Sequence, residues 1–302
     1  MMATKMIKKP KGQSSLSWEA SLTKTAKLTR SLAQKIVLYK DDDIIAINKP
    51  PGLAVQGDPN ASLVSQMGYW QYDSPRPPGL GHRIDKDTTG VLLLTRNSKS
   101  AQRIRELIEN KQIIKKYWAI TINVPEKTSG SITIPLSTKN IATSKSKSLY
   151  RVILRTDKAE DFSKEKAGSK LYGSVCLAWT DYTVISRKGS ISSLLDINLR
   201  TGFKHQIRAH LADGLCCPVL GDYLFAGPWF RKEKSLVRKI ENIGSHAGYV
   251  RGPLYLHAYE VSIPREGGQD PIVINATLPK YFISTLNALG LRVPYRYAKL
   301  AR

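Results

Sequence analysis

Short apolar runs separated by polar turns recur along the chain and predict several β-strands. Residues 36–39 and 44–47 are two such runs on either side of an acidic turn, a pattern that predicts a β-hairpin. Residues 91–95 are all apolar or β-branched and follow a Thr-Thr-Gly turn, which predicts a buried strand. A further strand is predicted at residues 113–121, and a second hairpin joins residues 175–186 to residues 193–199.

Apolar residues three and four positions apart predict helices between some of these strands. Asn97 and Ser98 form a favourable N-cap pair, and apolar residues then recur at helical spacing to about residue 110. Residues 206–213 are predicted to form a helix that Gly214 ends, residues 279–289 a final helix and residues 62–70 a short one.

The loop before the predicted strand at residues 91–95 carries the first candidate for chemistry. In it, Asp85 lies between Arg83 and Lys86 in sequence. Neighbouring positive charge favours the ionised form of an acid, and a positioned carboxylate can act as a nucleophile or a base. The alternative is a solvated carboxylate that only closes a turn, and local features alone favour this alternative.

The amino-acid composition indicates which class of partner the chain binds. The chain has 302 residues with 47 Lys and Arg against 24 Asp and Glu, a net charge of +23. This excess favours a polyanion, and we expect nucleic acid because no long helix with one apolar and one basic face is present. The alternative is a basic protein that its charge keeps soluble. No apolar run reaches the length of a membrane span, so no membrane is expected as a partner.

Cysteine and histidine spacing argues against a metal site. Cys216 and Cys217 are adjacent, Cys176 is distant and no Cys-x-x-Cys is present, so we expect a reducing compartment and no zinc. His205 and His210 lie five positions apart, which does not match the four-residue spacing of a helical zinc site.

The two ends of the chain differ from its middle. Residues 1–34 are basic and Ser- and Thr-rich, and we expect disorder there, either as an organelle transit peptide or as a basic arm that grips RNA. Residues 35–290 are predicted to form the folded domain and residues 291–302 an exposed basic tail. The Ser/Lys-rich residues 144–148 and the basic residues 227–251 are predicted to be exposed loops.

Several blocks in order along the chain resemble one protein family. His-Arg-Ile-Asp at residues 82–85, followed by Thr-Thr-Gly-Val-Leu-Leu-Leu, resembles the His-Arg-Leu-Asp…Thr/Ser-Gly-Leu-Leu-Leu signature of the RluA-type pseudouridine synthases. Residues 115–119 are similar to the family's Lys-x-Tyr-x-Ala element, and residues 201–210 to its Thr-Gly-Arg-x-His-Gln-Ile-Arg-x-His element. Residues 49–53 and 218–222 match two further blocks, which we interpret as rigid turns; Lys49 could also approach a phosphate.

The resemblance implies a fold and an activity. The fold would be α+β, with a long, mixed, mostly antiparallel sheet flanked by helices and a cleft across its middle. The enzyme would isomerise uridine to pseudouridine in RNA, with the target flipped out of its helix. No electrons are exchanged and no group is imported, so no cofactor is expected.

The resemblance also implies residue roles. Asp85 would be the nucleophile, Tyr117 would pack on the target base, and Arg208 would be the ion-pair partner of Asp85. From sequence alone, however, a tyrosine in a strand is more often an ordinary core residue. The residues expected to bind substrate are Arg83, His82, Ile207, His205 and Lys204.

Phe203 departs from the family pattern, because most bacterial members carry Arg there. A bulky apolar residue followed by Lys204 is more similar to the mitochondrial branch. We therefore expect a mitochondrial protein, with a cytoplasmic or nuclear one as the alternative, that acts as a monomer on ribosomal RNA, or on tRNA or mRNA. Two other functions stay open: a non-catalytic RNA-binding protein for ribosome assembly, and a metal-dependent hydrolase of nucleic acid.

Overall fold

The computed structural model describes residues 27–141, 149–154, 175–226 and 253–301. The predictions for residues 1–26, 144–148 and 227–251 lie outside the described residues.

Ten of the twelve described strands form one sheet. Eight strands lie side by side in the order β1-β2-β4-β11-β5-β10-β9-β6, with β3 paired to β4 and β12 to β11, while β7 and β8 form a separate pair. Among the described strands, only β4 and β11 pair in parallel. The expected mixed, mostly antiparallel sheet is therefore confirmed. The strands are β1 (Val37–Lys40), β2 (Ile44–Lys49), β3 (Gly79–Leu80), β4 (Thr89–Thr95), β5 (Ile114–Ile122), β6 (Ser129–Ile132), β7 (Leu136–Ile141), β8 (Leu149–Leu154), β9 (Thr180–Lys188), β10 (Ser192–Leu199), β11 (Leu256–Ile263) and β12 (Ile272–Asn275).

Strand β4 is buried on both faces, which explains its unbroken apolar sequence. Leu92 and Leu94 point to one face and pack under helix α1 (Arg30–Lys35) and the 3₁₀ helix Val64–Trp70. Val91 and Leu93 point to the other face and pack under helix α2 (Ser98–Glu109). Because successive side chains point to opposite faces of the sheet, β4 contributes to two separate hydrophobic cores.

Helix α2 begins as the sequence predicts. The Asn97 side chain accepts a hydrogen bond from Ser100 N at 2.8 Å, and Ser100 Oγ accepts one from Asn97 N, which completes a capping box. The predicted helix at residues 206–213 is different: α3 (Gln206–Ala209) gives way to a π-helical turn, His210–Gly214. Both ring nitrogens of His210 are hydrogen-bonded there, to Thr180 and Ile134.

Residues 28–33, which the sequence analysis assigns to the N-terminal extension, pack against the folded domain. Leu28, Leu32 and Ala33 are buried, and Ala33 O accepts a hydrogen bond from the Trp70 indole at 3.0 Å. These apolar residues recur at helical spacing within a polar segment, so average composition conceals the α1 helix.

Residues 291–301, the described part of the predicted basic tail, also contact the folded domain. Helix α4 (Lys280–Leu289) is followed by a 3₁₀ helix, Tyr295–Ala301. Tyr297 packs edge-on against Trp118 and Tyr259, with ring centroids 5.5 and 5.1 Å apart, and Leu278 N donates to Leu300 O. These contacts pack Tyr297 against the core, although no residue of the 3₁₀ helix is fully buried and Tyr295 is 95% exposed.

Candidate active site

The loop that carries Asp85 is fixed along strand β4. Gly81 N donates a hydrogen bond to Leu93 O at 2.8 Å, and Leu93 N donates to His82 Nε2 at 3.2 Å. Burial lowers the pKa of His82 to about 4, so the ring is neutral and its Nε2 can accept. His82 Nε2 therefore contacts the backbone of β4, and His82 is absent from the lining of the cleft.

Lys49 holds the other side of the same loop. Its side chain is 0% exposed, and its Nζ donates to three carbonyl oxygens: Pro50 at 2.8 Å, Leu53 at 3.0 Å and Lys86 at 2.7 Å. Burial lowers the pKa of Lys49 to about 7, although Asp87 and Asp85 oppose this shift. These three hydrogen bonds occupy the Lys49 ammonium, so a phosphate contact does not occur. They also fix the carbonyl of Lys86, the residue next to Asp85.

A glycine permits the close approach of two strands directly after this loop. Gly90 has φ +108°, and a Cβ there would lie 2.1 Å from Ala258 O. Gly90 pairs with Ala258 in the parallel contact of β4 with β11, and Ala258 pairs in turn with Tyr117 on β5. The loop of Asp85 and the strand of Tyr117 are therefore linked by sheet register.

Arg208 lies between two carboxylates. Its Nε and Nη2 donate to the two oxygens of Asp222, at 2.6 and 2.8 Å, while its Nη1 lies 3.4 Å from Asp85 Oδ2. Arg208 is 4% exposed and Asp222 0%, whereas the Asp85 side chain is 23% exposed. The expected pairing of Arg208 with Asp85 is present, but the stronger, bidentate contact is with Asp222.

This arrangement fixes the guanidinium and leaves the reactive carboxylate less constrained. Burial alone would lower the pKa of Arg208, but Asp222 and Asp85 raise it above its ordinary value, so it stays charged. Because Asp222 already neutralises one positive charge, the group of three carries a net negative charge when both carboxylates are ionised. His205 Nε2 lies 3.9 Å from Asp85 Oδ1, and burial lowers the pKa of His205 despite that carboxylate.

The remaining predicted residues divide into those inside and those outside the cleft. Tyr117, which is buried, and Ile207 line it together with Asp85 and His205. Burial, and then Asp85, raise the pKa of the Tyr117 phenol above its ordinary value. The full lining is Arg83, Ile84, Asp85, Thr88, Tyr117, Leu199, Gly202, Phe203, His205, Gln206, Ile207, Arg208 and Leu256.

Two predicted cations lie at the surface. Arg83 is exposed at the cleft and donates to Gln56 Oε1 at 3.2 Å. Lys204 is exposed and is not part of the cleft lining. Both are free to meet a large anionic ligand.

Sequence reasoning missed Asp222 as a site residue. Its Gly-Asp pair was visible in the block at residues 218–222, but that block was interpreted as a structural turn. Asp222 also accepts hydrogen bonds from the backbone N of Leu224 and Phe225, so it does close a turn. The turn interpretation leaves out its contact with Arg208.

Within the described ranges, no cluster of His, Cys, Asp or Glu side chains is arranged to hold a metal ion. None of the helices in that part of the chain is long and apolar enough to cross a membrane. The site offers a carboxylate beside a fixed cation and a neutral phenol, a set suited to nucleophilic and proton-transfer chemistry.

Comparison with known proteins gives consistent results. Residues 43–213 match the protein family described as RNA pseudouridylate synthase. The chain is 35% identical over 283 residues to the rat protein named mitochondrial pseudouridylate synthase RPUSD4, covering 88% of this chain and 72% of that one. It is 30% identical over 262 residues to ribosomal large subunit pseudouridine synthase C of Rickettsia typhi, covering 86% and 73%. The solved structure of human RNA pseudouridylate synthase domain containing 4 is similar, with a TM-score of 0.63 and 27% identity over 88% of this chain and 98% of that one.

Proposed function

Since the chain belongs to the family of RNA pseudouridylate synthases, we propose that Asp85 is the carboxylate that starts its reaction and that ribosomal RNA is its substrate. Membership of the family makes the chain an RNA pseudouridine synthase, an enzyme that isomerises uridine within RNA. The observation that carries the assignment of Asp85 is its position 3.4 Å from an arginine whose other donors are taken by Asp222.

The proposed reaction conserves all atoms of the uridine. Asp85 attacks the ribose C1′, or otherwise promotes loss of uracil, and the C1′–N1 bond breaks with its electron pair left on the base. The free base turns within the cleft, and its C5 forms a bond to C1′ as Asp85 leaves. The C5 proton is then removed and N1 is protonated. Arg208 orients the carboxylate of Asp85 through the first step.

Tyr117 has two proposed tasks beside Asp85. Its buried ring lies in the cleft lining, where it can pack against the face of the turning base. Its raised pKa keeps the phenol protonated, so we assign its hydroxyl to relaying the C5 proton and not to acting as a phenolate base.

The large positive charge and the surface cations support binding of structured RNA. A uridine inside a helix must be flipped to reach Asp85, and exposed Arg83 is placed to fill the gap that the base leaves. We propose ribosomal RNA because of the name of the Rickettsia relative, and a mitochondrial location because of the name of the rat relative. We further propose that the enzyme acts as a monomer.

The decisive experiment maps pseudouridine in total and mitochondrial RNA from cells that have or lack the protein. One or a few sites should disappear without it and return with wild type or Asp87→Asn, but not with Asp85→Ala. Asp87 is a matched control, because it is a carboxylate of the same loop outside the cleft lining. Loss of ribosome assembly that Asp85→Ala still rescues, with no lost pseudouridine, would instead favour the non-catalytic RNA-binding protein.

A further inference from the structure

Two large aromatic side chains remain exposed beside the cleft. The Trp179 residue is 42% exposed and Phe203 is 39% exposed, and Phe203 itself contributes to the cleft lining. Trp179 directly precedes β9, whose first residue, Thr180, pairs with the cleft residue Leu199. The backbones of both aromatic residues therefore lie at the same end of the cleft, next to its lining residue Gln206.

A buried glutamine ties the two aromatic residues to one rigid unit. Gln206 Nε2 donates to Trp179 O at 3.0 Å, and its Oε1 accepts from Phe203 N at 3.2 Å and from Thr201 Oγ1 at 2.9 Å. Gln206 is the first residue of α3, the helix that also carries Arg208. The backbone of both aromatic residues is consequently anchored to the helix that carries Arg208.

Asp181 holds the indole in its exposed position. Its Oδ1 accepts from Trp179 Nε1 at 2.7 Å and from Ser131 Oγ at 2.7 Å, and its Oδ2 accepts from Arg200 Nε at 2.7 Å. Burial would raise the pKa of Asp181, but these hydrogen bonds lower it, so the carboxylate stays charged. The Arg200 guanidinium lies 5.6 Å from the centre of a Trp179 ring.

The exposure of this segment follows a regular alternation. Leu177 and Trp179 are exposed while Ala178 and Thr180 are buried, so the chain turns its larger apolar side chains outward. The Trp179 indole is held by its hydrogen bond to Asp181 and lies under the Arg200 guanidinium, yet 42% of the residue stays exposed to water. Holding this exposed face in one conformation costs rotamer freedom. That cost is recovered when a flat ligand covers the face, because the side chain is already in its bound conformation.

We propose that Trp179, Phe203 and Arg200 form an aromatic shelf that stacks unpaired bases next to the flipped uridine. The inference rests on the proposed function, since it places a single-stranded segment of the substrate RNA beside the cleft. Every base offers a π-face to an aromatic ring, and the half-exposed Arg200 can contact the phosphate between two stacked bases. Exposed Lys204, next to Phe203, adds a second cation. This combination of aromatic and cationic side chains suits RNA better than an apolar protein segment.

The test measures binding of a fluorescent single-stranded oligouridylate by anisotropy. Trp179→Ala and Phe203→Ala should each weaken binding by about 5- to 150-fold, the range expected for loss of one stacked base. Tyr295→Ala is the matched control, because Tyr295 is an aromatic residue that is 95% exposed on a different element, and its loss should leave binding unchanged. Arg200→Gln should reduce the slope of log Kd against log salt concentration by about 0.7, whereas Trp179→Ala should leave that slope unchanged.

A conservative variant separates stacking from a folding defect. Trp179→Phe keeps an aromatic face and should bind within a few-fold of wild type, while Trp179→Ala should not. The shelf is refuted if Trp179→Ala binds like wild type, if Trp179→Phe binds as weakly as Trp179→Ala, or if Trp179→Ala instead abolishes self-association of the protein. Pseudouridine formation by wild type is scored separately: its absence would refute the proposed function, whereas unchanged Kd values in an active enzyme would refute only the shelf.

Discussion

Replacing Asp222 by Asn tests whether the buried partner of Arg208, and not the reacting Asp85, supports the site. Asp222 is 0% exposed. Its Oδ1 accepts from Arg208 Nη2 and from the backbone N of Leu224 and Phe225, and its Oδ2 accepts from Arg208 Nε at 2.6 Å. An Asn side chain whose oxygen replaces Oδ1 keeps three of these contacts and turns an amide donor toward Arg208 Nε.

The cost follows from that geometry. The variant loses a short charge-assisted hydrogen bond and leaves a buried guanidinium with one carboxylate fewer. We expect the free energy of unfolding to fall by about 3–5 kcal/mol, the usual cost of removing one partner of a buried ion pair. Glu260→Gln is the control, because the Glu260 side chain is 12% exposed and pairs with the 30% exposed Lys116 at 3.4 Å, so its loss should cost less than the loss of the fully buried Asp222 carboxylate.

Activity should fall as well, by a separate route. Without the Asp222 carboxylate, Asp85 is the only negative group among the described residues that contacts Arg208. The stronger attraction makes the Asp85 carboxylate a weaker nucleophile and moves it from its position. We expect single-turnover pseudouridine formation by the folded variant to slow by about tenfold or more.

Urea unfolding followed by circular dichroism measures the free energy of unfolding, and variants are compared only if their m-values are unchanged. Quenched-flow assays at a temperature where the variant is folded measure the rate of single-turnover pseudouridine formation. The reasoning fails if Asp222→Asn loses no more stability than Glu260→Gln, or if the folded variant reacts at the wild-type rate.

Two other variants test the residues around Asp85. Tyr117→Phe should bind RNA normally but form product about 100-fold more slowly, because the proton relay is lost; a wild-type rate in single-turnover assays would exclude the relay. Lys49→Met removes a lysine whose pKa falls from 10.5 in the unfolded chain to about 7 in the folded one. Between these pH values the unfolded wild type binds more protons, so its stability should rise relative to Lys49→Met by up to about 1.4 kcal/mol per pH unit. Unfolding titrations at several pH values check this, and a difference independent of pH would contradict the low pKa.

The sequence predicted the strands of the fold well because their signals are local. The apolar run in β4, the hairpin of β1 and β2 and the cap of α2 each depend on residues within a few positions. The contacts of two terminal segments were missed, because those segments were judged by their average composition and not by the spacing of their apolar residues. Leu28 and Leu32 anchor a segment that is polar on average, and Tyr297 anchors a basic one.

Family resemblance predicted the pairing of Asp85 with Arg208 but not the other contacts around it. Asp85 and Arg208 were expected to pair from family resemblance, although 123 positions separate them. The dominant partner of Arg208 was missed because an aspartate after glycine is an ordinary turn residue. The role of Lys49 in fixing the loop was missed, because a lysine is rarely buried without a carboxylate partner. No local sequence pattern predicts the three carbonyl oxygens that accept its hydrogen bonds.

The register of the sheet explains how these distant residues meet. Strand β4 contacts β11 through only two pairs, Thr89 with His257 and Gly90 with Ala258, before each strand continues with other partners. Asp85 precedes this short parallel junction by a few residues, and Ala258 carries the register across to Tyr117. A side chain larger than hydrogen at position 90 would push the junction apart, since its Cβ would meet Ala258 O. The glycine of the Thr-Thr-Gly block therefore supports the site, because it permits the close approach of β4 to β11, the strand that pairs with the strand of Tyr117.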